Sequence, residues 1–261
     1  MSRFVIKVDE NACGGCGECV NVCGCGVLAV EGGHSIVKNP TRCMGCGHCF
    51  SICPTGAITF NETGADAATA TSAECPVKYA DMVTLMRNRR SIRRYKKEKI
   101  PQEVLQQMFA DLRYAPTACN TMGNSFTVVS DDAALKEIVR LTREALRTVP
   151  RTAAMADIVQ ECLIISGSQL LLVGGSKLIA NPVDSVIAAE EFDLLAQTRG
   201  IGCCWAGFVT MAVNAYPPLR EFLKAKGLDV DAYSFSAMSI GYPDEEYVRI
   251  PPRPTPKITW I

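Results

Sequence analysis

The sequence predicts an α+β protein in which a small, cysteine-rich domain precedes a larger domain of mixed helices and strands. Nine of the 14 cysteines lie before residue 54, where they form two copies of one pattern. From residue 77 onward, helical and strand-like segments mix without the strict βαβ repetition of a parallel sheet. Residues 61–76 are small and polar without periodicity, which predicts a linker. We therefore expect one domain at residues 1–60 and a second at residues 77–261.

The composition is that of a globular protein with a sizeable core. Apolar residues make up 48% of the chain, and Lys+Arg and Asp+Glu both number 27, so the net charge is zero. That balance gives no reason to expect nucleic acid or a membrane surface as a partner. We see no signal peptide, and no apolar run reaches the roughly 18 residues that span a bilayer. We expect a cytoplasmic protein whose thiols are metal ligands and not disulfides.

The cysteines of the first domain repeat after 30 residues. The shift aligns Cys13, Cys16, Cys19 and Cys23 with Cys43, Cys46, Cys49 and Cys53. Each set has the spacing C-x2-C-x2-C-x3-C, which lets four soft thiolates wrap a compact multi-iron core. Structural zinc sites instead pair two Cys-x2-Cys hooks across a longer gap. The spacing therefore predicts two [4Fe–4S] clusters.

In two-cluster proteins the fourth cysteine of each run binds the other cluster. One cluster is thus expected on Cys13, Cys16, Cys19 and Cys53, and the other on Cys43, Cys46, Cys49 and Cys23. The domain resembles bacterial two-cluster ferredoxins over its 60 residues. His48 lies between ligands and is expected beside the cluster without binding it.

One position departs from the ferredoxin pattern. Pro54 follows Cys53, but Gly24 follows Cys23, and Cys25 then offers a competing thiol. The repeat aligns Cys25 with a threonine and not with a ligand, so we retain Cys23. The sequence leaves open a cluster of altered type at this site.

The second domain is predicted from its apolar periodicity and its helix-ending glycines. Helices are expected at residues 77–88, 101–113, 131–149, 185–199 and 218–226. Strands are expected at residues 126–129, 170–173 and 233–240. Thr142 interrupts the apolar stripe of the third helix. The proline-rich residues 251–256 should run extended over a surface.

A basic run, RNRRSIRRYKKEK, occupies residues 87–99 and has eight positive side chains against one acidic. One interpretation is a solvated helix end. A second is nucleic-acid binding, which the neutral net charge and the lack of aromatics beyond Tyr95 disfavour. A third is a phosphate site, because arginines supply forked donors and Ser91 a hydroxyl.

Four segments in order resemble the nitroreductase family of FMN enzymes. RRSIR at 89–93 is similar to its opening motif, and APTACN at 115–120 to its A-P-S-x-x-N segment. GIGCCWAGF at 200–208 resembles G-L-G-x-C-W-x-G-F. GYP at 241–243, followed by PRP at 252–254, resembles the closing motif and basic tail. The resemblance covers about residues 77–261 and implies a nitroreductase-like α+β flavin domain.

The resemblance also implies roles for individual residues. The FMN phosphate and ribityl chain would be held by Arg89, Arg90, Ser91, Arg93 and Arg253. The isoalloxazine would contact Pro116, Thr117 and Ala118 of a partner subunit, with Asn120 fixing that loop. The backbone near the reactive N5 would come from Trp205, Ala206 and Gly207. Gln160 is a weaker candidate for the pyrimidine edge.

Two departures and one alternative accompany these roles. Met122 stands where relatives often carry Gln, and the stretch after Trp205 is one residue shorter than in many of them. Seen alone, Trp205 and Phe208 are equally consistent with core packing. Both histidines, His34 and His48, lie in the first domain, which excludes a Ser/His or Cys/His hydrolase in the second. No catalytic side chain is identified.

The combination predicts an FMN-dependent oxidoreductase that receives electrons through two [4Fe–4S] clusters. The acceptor implied is a nitroaromatic, a quinone or an activated alkene, and the resemblance implies a homodimer. An alternative is an iron–sulfur flavoprotein that passes electrons to a partner protein. The sequence names neither the native substrate nor the donor, which could be reduced ferredoxin, another low-potential protein or NAD(P)H.

Overall fold

The computed structural model describes residues 5–60, 74–177 and 182–261, and the side chain of Phe60 is outside this description. The chain forms two compact units. The cysteine unit consists of Met1–Ala73 together with Ala118–Thr121. The sheet unit consists of Glu74–Thr117 and Met122–Ile261. Most of the predicted linker lies outside the described residues, so its prediction stays a prediction.

The cysteine unit is built from two copies of one small motif. Strand β1 (Ile6–Val8) pairs antiparallel with β4 (Ile58–Phe60), and β2 (Leu28–Glu31) pairs antiparallel with β3 (His34–Val37). Two short helices, α1 (Glu18–Asn21) and α2 (His48–Ile52), occupy positions 30 residues apart. The duplication read from the cysteine spacing is therefore present in the backbone.

Glycines turn the chain into both short helices. Gly17 before α1 has φ 76°, and Gly47 before α2 has φ 74°. Such left-handed backbone is disfavoured for residues with a Cβ, so glycine is required at both turns. The small core of the unit also repeats, because it includes Val27, Leu28, Ala57 and Ile58.

The sheet unit contains one antiparallel sheet of four strands in the order β5-β6-β8-β7. The strands are β5 (Ser125–Val129), β6 (Gln169–Ser176), β7 (Gly202–Trp205) and β8 (Tyr233–Gly241). The helices are α3 (Tyr79–Asn88), α4 (Gln102–Asp111), α5 (Asp132–Thr148), α6 (Pro150–Ala153), α7 (Val183–Gln197), α8 (Gly207–Ala215) and α9 (Pro217–Ala225).

Both faces of this sheet are buried. Leu170 and Leu172 of β6 belong to one apolar cluster, with α5, α8 and α9. Leu171 and Val173 point the other way into a second cluster, with α4 and α7. Successive strand residues face opposite sides of a sheet, so a strand covered on both sides needs a continuous apolar run. This explains why residues 170–173 carry no polar alternation.

The predicted helices and strands all appear, with ends that differ by up to three residues. Strand β7 and helices α6 and α8 were not predicted. Strand β7 and the start of α8 lie in the segment that was interpreted only as a cofactor motif. Residues 244–261 hold no helix or strand, as the prolines predict. None of the helices in the described ranges is both long and apolar enough to cross a membrane.

Candidate functional site: two thiol cavities and an arginine-lined sheet edge

Two cavities in the cysteine unit are lined by cysteines. The first thiol cavity is lined by Cys13, Cys16, Cys19 and Cys53. The second thiol cavity, of about 360 Å³, is lined by Cys23, Cys43, Cys46 and Cys49, with Cys25 as a fifth thiol. Each cavity combines three cysteines of one run with the fourth of the other. This is the grouping that the crossed ligand sets require.

The thiols surround these cavities without converging on one point. Within residues 5–60, 74–177 and 182–261, no three His, Cys, Asp or Glu side chains are close enough together to hold a single metal ion. Ligands of a four-iron core bind different iron atoms and so stand further apart than ligands of one ion. The donor set of both cavities, four thiolates each, fits a [4Fe–4S] cluster.

Hydroxyl groups lie against the ligands of the first thiol cavity. Ser35 Oγ is 3.0 Å from Cys19 Sγ, and the Ser35 N–H donates to Cys13 Sγ at 3.3 Å. Thr55 Oγ1 is 3.6 Å from Cys53 Sγ. Burial acts to raise the pKa of Cys53, but the hydrogen bonds from Thr55 and nearby backbone outweigh it, so its pKa is lowered.

Backbone N–H groups donate to sulfurs of the second thiol cavity. The Val27 N–H donates to Cys23 Sγ at 3.3 Å, and the Gly45 N–H donates to Cys43 Sγ at 3.4 Å. Burial raises the pKa of Cys49. His48 lines this cavity, as expected for a residue beside the cluster.

The basic segment extends the sheet of the second unit. Ser91 forms a parallel bridge with Cys203 of β7, and the Ile92 N–H donates to the Cys203 carbonyl at 2.9 Å. Tyr95 forms an antiparallel bridge with Pro243. Three of the four motifs that carry the resemblance thus meet at one sheet edge, although the first is more than 100 residues from the other two in sequence. The contact is close, because a Cβ on Gly202 would lie 2.7 Å from Ile92 Cγ1.

Arg89 forms an ion pair with Asp193, an acidic residue that the sequence analysis did not identify. Its Nη1 donates to Asp193 Oδ2 at 3.0 Å, and the Asp193 side chain is only 6% exposed. Burial raises the pKa of Asp193, and the Arg89 guanidinium offsets this only in part. The Cys203 thiol lies beside the same carboxylate, and its own pKa is raised because it is fully buried.

Arg93 stands in a group of cationic and hydroxyl donors. The Ser166 hydroxyl donates to the Ile92 carbonyl at 3.4 Å, directly before Arg93 in the sequence. The charge of Arg93 and the Ser166 and Ser91 hydroxyls act on the Cys204 thiol. Burial raises the pKa of Cys204, and these three neighbours oppose the rise. Among the ion pairs formed by described residues, none involves the Arg93 guanidinium. Forked cations and hydroxyls are the donors that phosphate recognition uses.

The remaining arginines of the run differ in their partners. Arg94 Nη2 donates to the Asp244 carbonyl at 2.8 Å, and Arg90 Nη2 donates to the Arg87 carbonyl. A cavity of about 270 Å³ beside Arg90 is lined by Asp193, Glu245 and Glu246 among others. These carboxylates would repel a phosphate in this cavity, and the Arg93 N–H donates to one of them, Glu245 Oε1, at 2.8 Å.

The loop that carries the APTACN segment has unusual backbone. Cys119, Asn120 and Met122 have φ of 50°, 51° and 48°, a region that residues other than glycine rarely adopt. Strain of this kind is concentrated at functional sites. Within the cysteine unit, Asn120 Nδ2 donates to the Gly45 carbonyl at 2.8 Å. In the sheet unit, the Met122 N–H donates to Thr117 Oγ1 at 3.0 Å.

The other predicted contacts lie at the surface or at a helix start. Trp205 ends β7 with 44% of its surface exposed, so it is not a core residue. Ala206 is buried, and Gly207 begins α8. Phe208 is partly buried against the core. Pro116, Gln160 and Arg253 are exposed, and Ala118 is half-buried.

The sequence did not reveal Ser35, Asp193 or Ser166 as site residues. Asp193 had one signal, since an acid in the apolar stretch of α7 must find a partner. Ser35 and Ser166 had none, because a single serine in a strand or loop is common.

Comparison with known families identifies the protein family to which the chain belongs. The family model described as "Nitroreductase family" matches residues 86–242, and a "4Fe-4S binding domain" model matches residues 36–59. The first match covers more than half of the chain. The chain belongs to the nitroreductase family. It is an oxidoreductase with a 4Fe-4S binding domain near its N-terminus, which confirms the predicted family and fold class.

Curated relatives agree with this assignment. A protein of Archaeoglobus fulgidus, a candidate NADH dehydrogenase/NAD(P)H nitroreductase, is 26% identical over 171 residues. The match covers 64% of this nitroreductase and 87% of the relative. A protein of the same description from Methanothermobacter thermautotrophicus is 24% identical over 169 residues, covering 65% and 81% of the two chains.

Solved structures share the fold of the sheet unit. A nitroreductase with bound FMN from Bacteroides fragilis has a TM-score of 0.61 and 20% identity, covering 69% of this chain and 98% of its own. A nitroreductase with bound FMN from Desulfitobacterium hafniense has a TM-score of 0.58 and 21% identity, covering 69% and 97%. At this identity the comparison establishes a common fold.

Proposed function

We propose that this nitroreductase is an FMN-dependent enzyme that receives electrons through two [4Fe–4S] clusters and reduces a small organic acceptor. The observation that carries the proposal is that one chain contains both thiol cavities and a cation-and-hydroxyl site at the motif edge of its sheet. A cluster passes one electron at a time and a flavin accepts one or two, so when bound they would turn single electrons into a two-electron reduction.

The cluster ligands proposed are the two sets of four cysteines that line the thiol cavities. Cys16 and Cys46 are exposed, whereas Cys19 and Cys49 are buried. Each cluster would therefore have one ligand at the surface, where a donor protein could approach. The buried ligands would fix the cluster in the unit.

The flavin phosphate is proposed to bind Arg93 and the Ser91 hydroxyl, with Arg89, Arg90 and Arg253 adding positive charge. Asp193 anchors the Arg89 guanidinium through one nitrogen and leaves its other donors for the ligand. Ser166, which the sequence did not suggest, joins this group through its place beside Cys204. The FMN named in the two solved relatives supports the choice of flavin.

The reacting face is proposed to lie at the end of β7. The backbone from Trp205 to Gly207 would lie near N5. The Gly207 N–H would be the donor, because Gly207 begins α8 and its amide has no partner within the helix, whereas the Ala206 N–H donates to the Ala237 carbonyl at 2.8 Å. Among the residues that the structure describes, we assign no titratable side chain as acid or base, so protons would come from water or from the substrate.

A second subunit is proposed to complete the flavin site. The strained loop with Pro116, Thr117 and Ala118 would reach the flavin of the partner, with Asn120 holding the loop in shape. A dimer of this kind would bury more than roughly 2,000 Å². A monodisperse, flavin-loaded monomer in solution would contradict this part of the proposal.

The test is to reduce the purified protein with dithionite under argon and then add menadione or a nitroaromatic. Rapid reoxidation of the flavin supports the enzyme. Reoxidation only by a protein partner supports the alternative, an electron carrier, which the exposed Cys16 and Cys46 also favour. Flavin that neither acceptor reoxidises would refute both.

A further inference from the structure

We propose that Ser35, assisted by Thr55, holds the cluster of the first thiol cavity at a higher reduction potential than the cluster of the second. This rests on the proposed function, because it requires both clusters. Ser35 is then a positioning residue, acting through Cys19. By raising the reduction potential of the first cluster, it would favour the presence of a shared electron on that cluster.

In the hydrogen bond between Ser35 and Cys19, the Ser35 hydroxyl is the donor. Its hydroxyl is 3.0 Å from Cys19 Sγ, and either atom could donate if the sulfur were a thiol. A cluster ligand is a thiolate without a proton, so only the hydroxyl can donate. Ser35 is 2% exposed and Cys19 is 7% exposed, so water does not compete for this bond. A bond to an ionised acceptor in a buried site is stronger than one in water.

Thr55 gives the first cavity a second, weaker hydroxyl contact. Thr55 Oγ1 is 3.6 Å from Cys53 Sγ, and Thr55 is exposed. The longer distance and the competing water predict a smaller influence than that of Ser35.

The second thiol cavity has no hydroxyl at the equivalent positions. The 30-residue shift aligns Ser35 with Val5 and Thr55 with Cys25. Neither valine nor cysteine has a hydroxyl. The second cavity therefore lacks the counterparts of the Ser35 and Thr55 hydroxyls. Backbone N–H donors act in both cavities. They come from Ser35, Thr55, Ala57 and Ile58 in the first and from Val27, Gly45 and Phe50 in the second.

Hydrogen bonds to the sulfurs and solvent exposure are two of the factors that set a cluster potential. Exposure is nearly equal, since Cys16 and Cys46 are both exposed and Cys19 and Cys49 are 7% and 8% exposed. Donors stabilise the more negative, reduced cluster, so the extra hydroxyls raise the potential of the first.

One carboxylate acts in the opposite direction. Glu18 lines the first cavity and His48 the second, and a nearby carboxylate disfavours the added electron. Both side chains are exposed, so water and salt screen their effect. A buried hydrogen bond at 3.0 Å is not screened in this way and should outweigh the carboxylate.

The experiment is an anaerobic redox titration of the whole protein followed by electron paramagnetic resonance. It uses 1 M NaCl, where the Debye length of about 3 Å removes most of the Glu18 effect. The wild-type protein should show two midpoints. Ser35→Ala should lower the higher midpoint and leave the lower one, changing the equilibrium between the clusters by at least tenfold, which is 59 mV for one electron.

Ser51→Ala is the matched control, because Ser51 is an exposed hydroxyl on helix α2. It should leave both midpoints unchanged. If Ser35→Ala does not fold, Thr55→Val at its exposed position should still lower the same midpoint by a smaller amount. Iron present with both midpoints unmoved in the variant that folds, or a shift of only the lower one, would overturn the proposal. A protein without iron would instead overturn the proposed function.

Discussion

The two units build their candidate sites by different means. In the cysteine unit the four cysteines of each run lie within eleven residues of one another. Left-handed turns at Gly17 and Gly47 lead the chain into the short helices that carry some of these cysteines. In the sheet unit the donors meet only because residues 91 and 92 pair with β7 and residue 95 pairs with Pro243. A local site is fixed by spacing, whereas a distributed site depends on the whole sheet.

This difference predicts how each site responds to substitution. Every cluster ligand should be needed, because one missing thiolate leaves an iron without its ligand. The phosphate donors should act in a graded way, because each arginine supplies only part of the binding.

Loss of a cluster ligand should have the largest effect. Cys46→Ala should lower the iron content by about half, because one of two clusters is lost. Cys23→Ala should remove the same paramagnetic signal, whereas Cys53→Ala should remove the other. The control is Cys75→Ala, which removes an exposed thiol outside both cavities. If Cys23 and Cys53 variants lost the opposite signals, the crossed ligand sets would be wrong.

Arg93→Ala should weaken FMN binding by about tenfold to a hundredfold, since a hydrogen bond to a charged group contributes roughly 1.5–3 kcal/mol. Flavin fluorescence titration of the flavin-free protein measures this. Arg94→Ala is the matched control, because its guanidinium is bonded to the Asp244 carbonyl. Equal losses in the two variants would show that general positive charge, and not a placed donor, binds the flavin. Retained FMN with lost DNA binding in Arg93→Ala would overturn the phosphate assignment.

Arg89→Ala should destabilise the sheet unit by about 1–3 kcal/mol at pH 7, because it leaves the Asp193 carboxylate buried without its cation. Burial already raises the pKa of Asp193, and loss of the Arg89 guanidinium, which lowers it, would raise the pKa further. A raised pKa means that stability is lost as the pH increases through it, so the destabilisation should be smaller at pH 5 than at pH 7.

Chemical unfolding followed by tryptophan fluorescence measures this effect, since both tryptophans, Trp205 and Trp260, belong to the sheet unit. The double variant with Asp193→Asn should lose the added pH dependence. A pH dependence that persisted in the double variant would assign it to another group.

Thr142→Val should raise the stability of the sheet unit by about 1 kcal/mol. Thr142 is fully buried on α5, and its hydroxyl has no hydrogen-bond partner among the described residues. Thr148→Val is the control, since the Thr148 hydroxyl donates to the Ala145 carbonyl at 2.7 Å and should not yield a gain. A loss of stability in Thr142→Val would show that the hydroxyl has a partner.

Much of this molecule was predictable because its signals are local. Cysteine spacing predicted the grouping that the thiol cavities show, and apolar periodicity predicted the long helices. Strand β7 was missed because four residues of glycine, cysteine and tryptophan carry no period-two alternation. The Arg89–Asp193 pair and the Ser35 contact could not be predicted, since they join residues that only the folded chain brings together.

The central claim is that one chain binds iron through cysteines and a flavin through arginines. Anaerobic analysis of metal, sulfide and flavin tests this claim most directly. Material purified under argon should contain about eight iron and eight sulfide per chain, as two [4Fe–4S] clusters require, together with about one FMN, as a flavin enzyme requires. Colourless protein with zinc in place of iron and no bound flavin would contradict it.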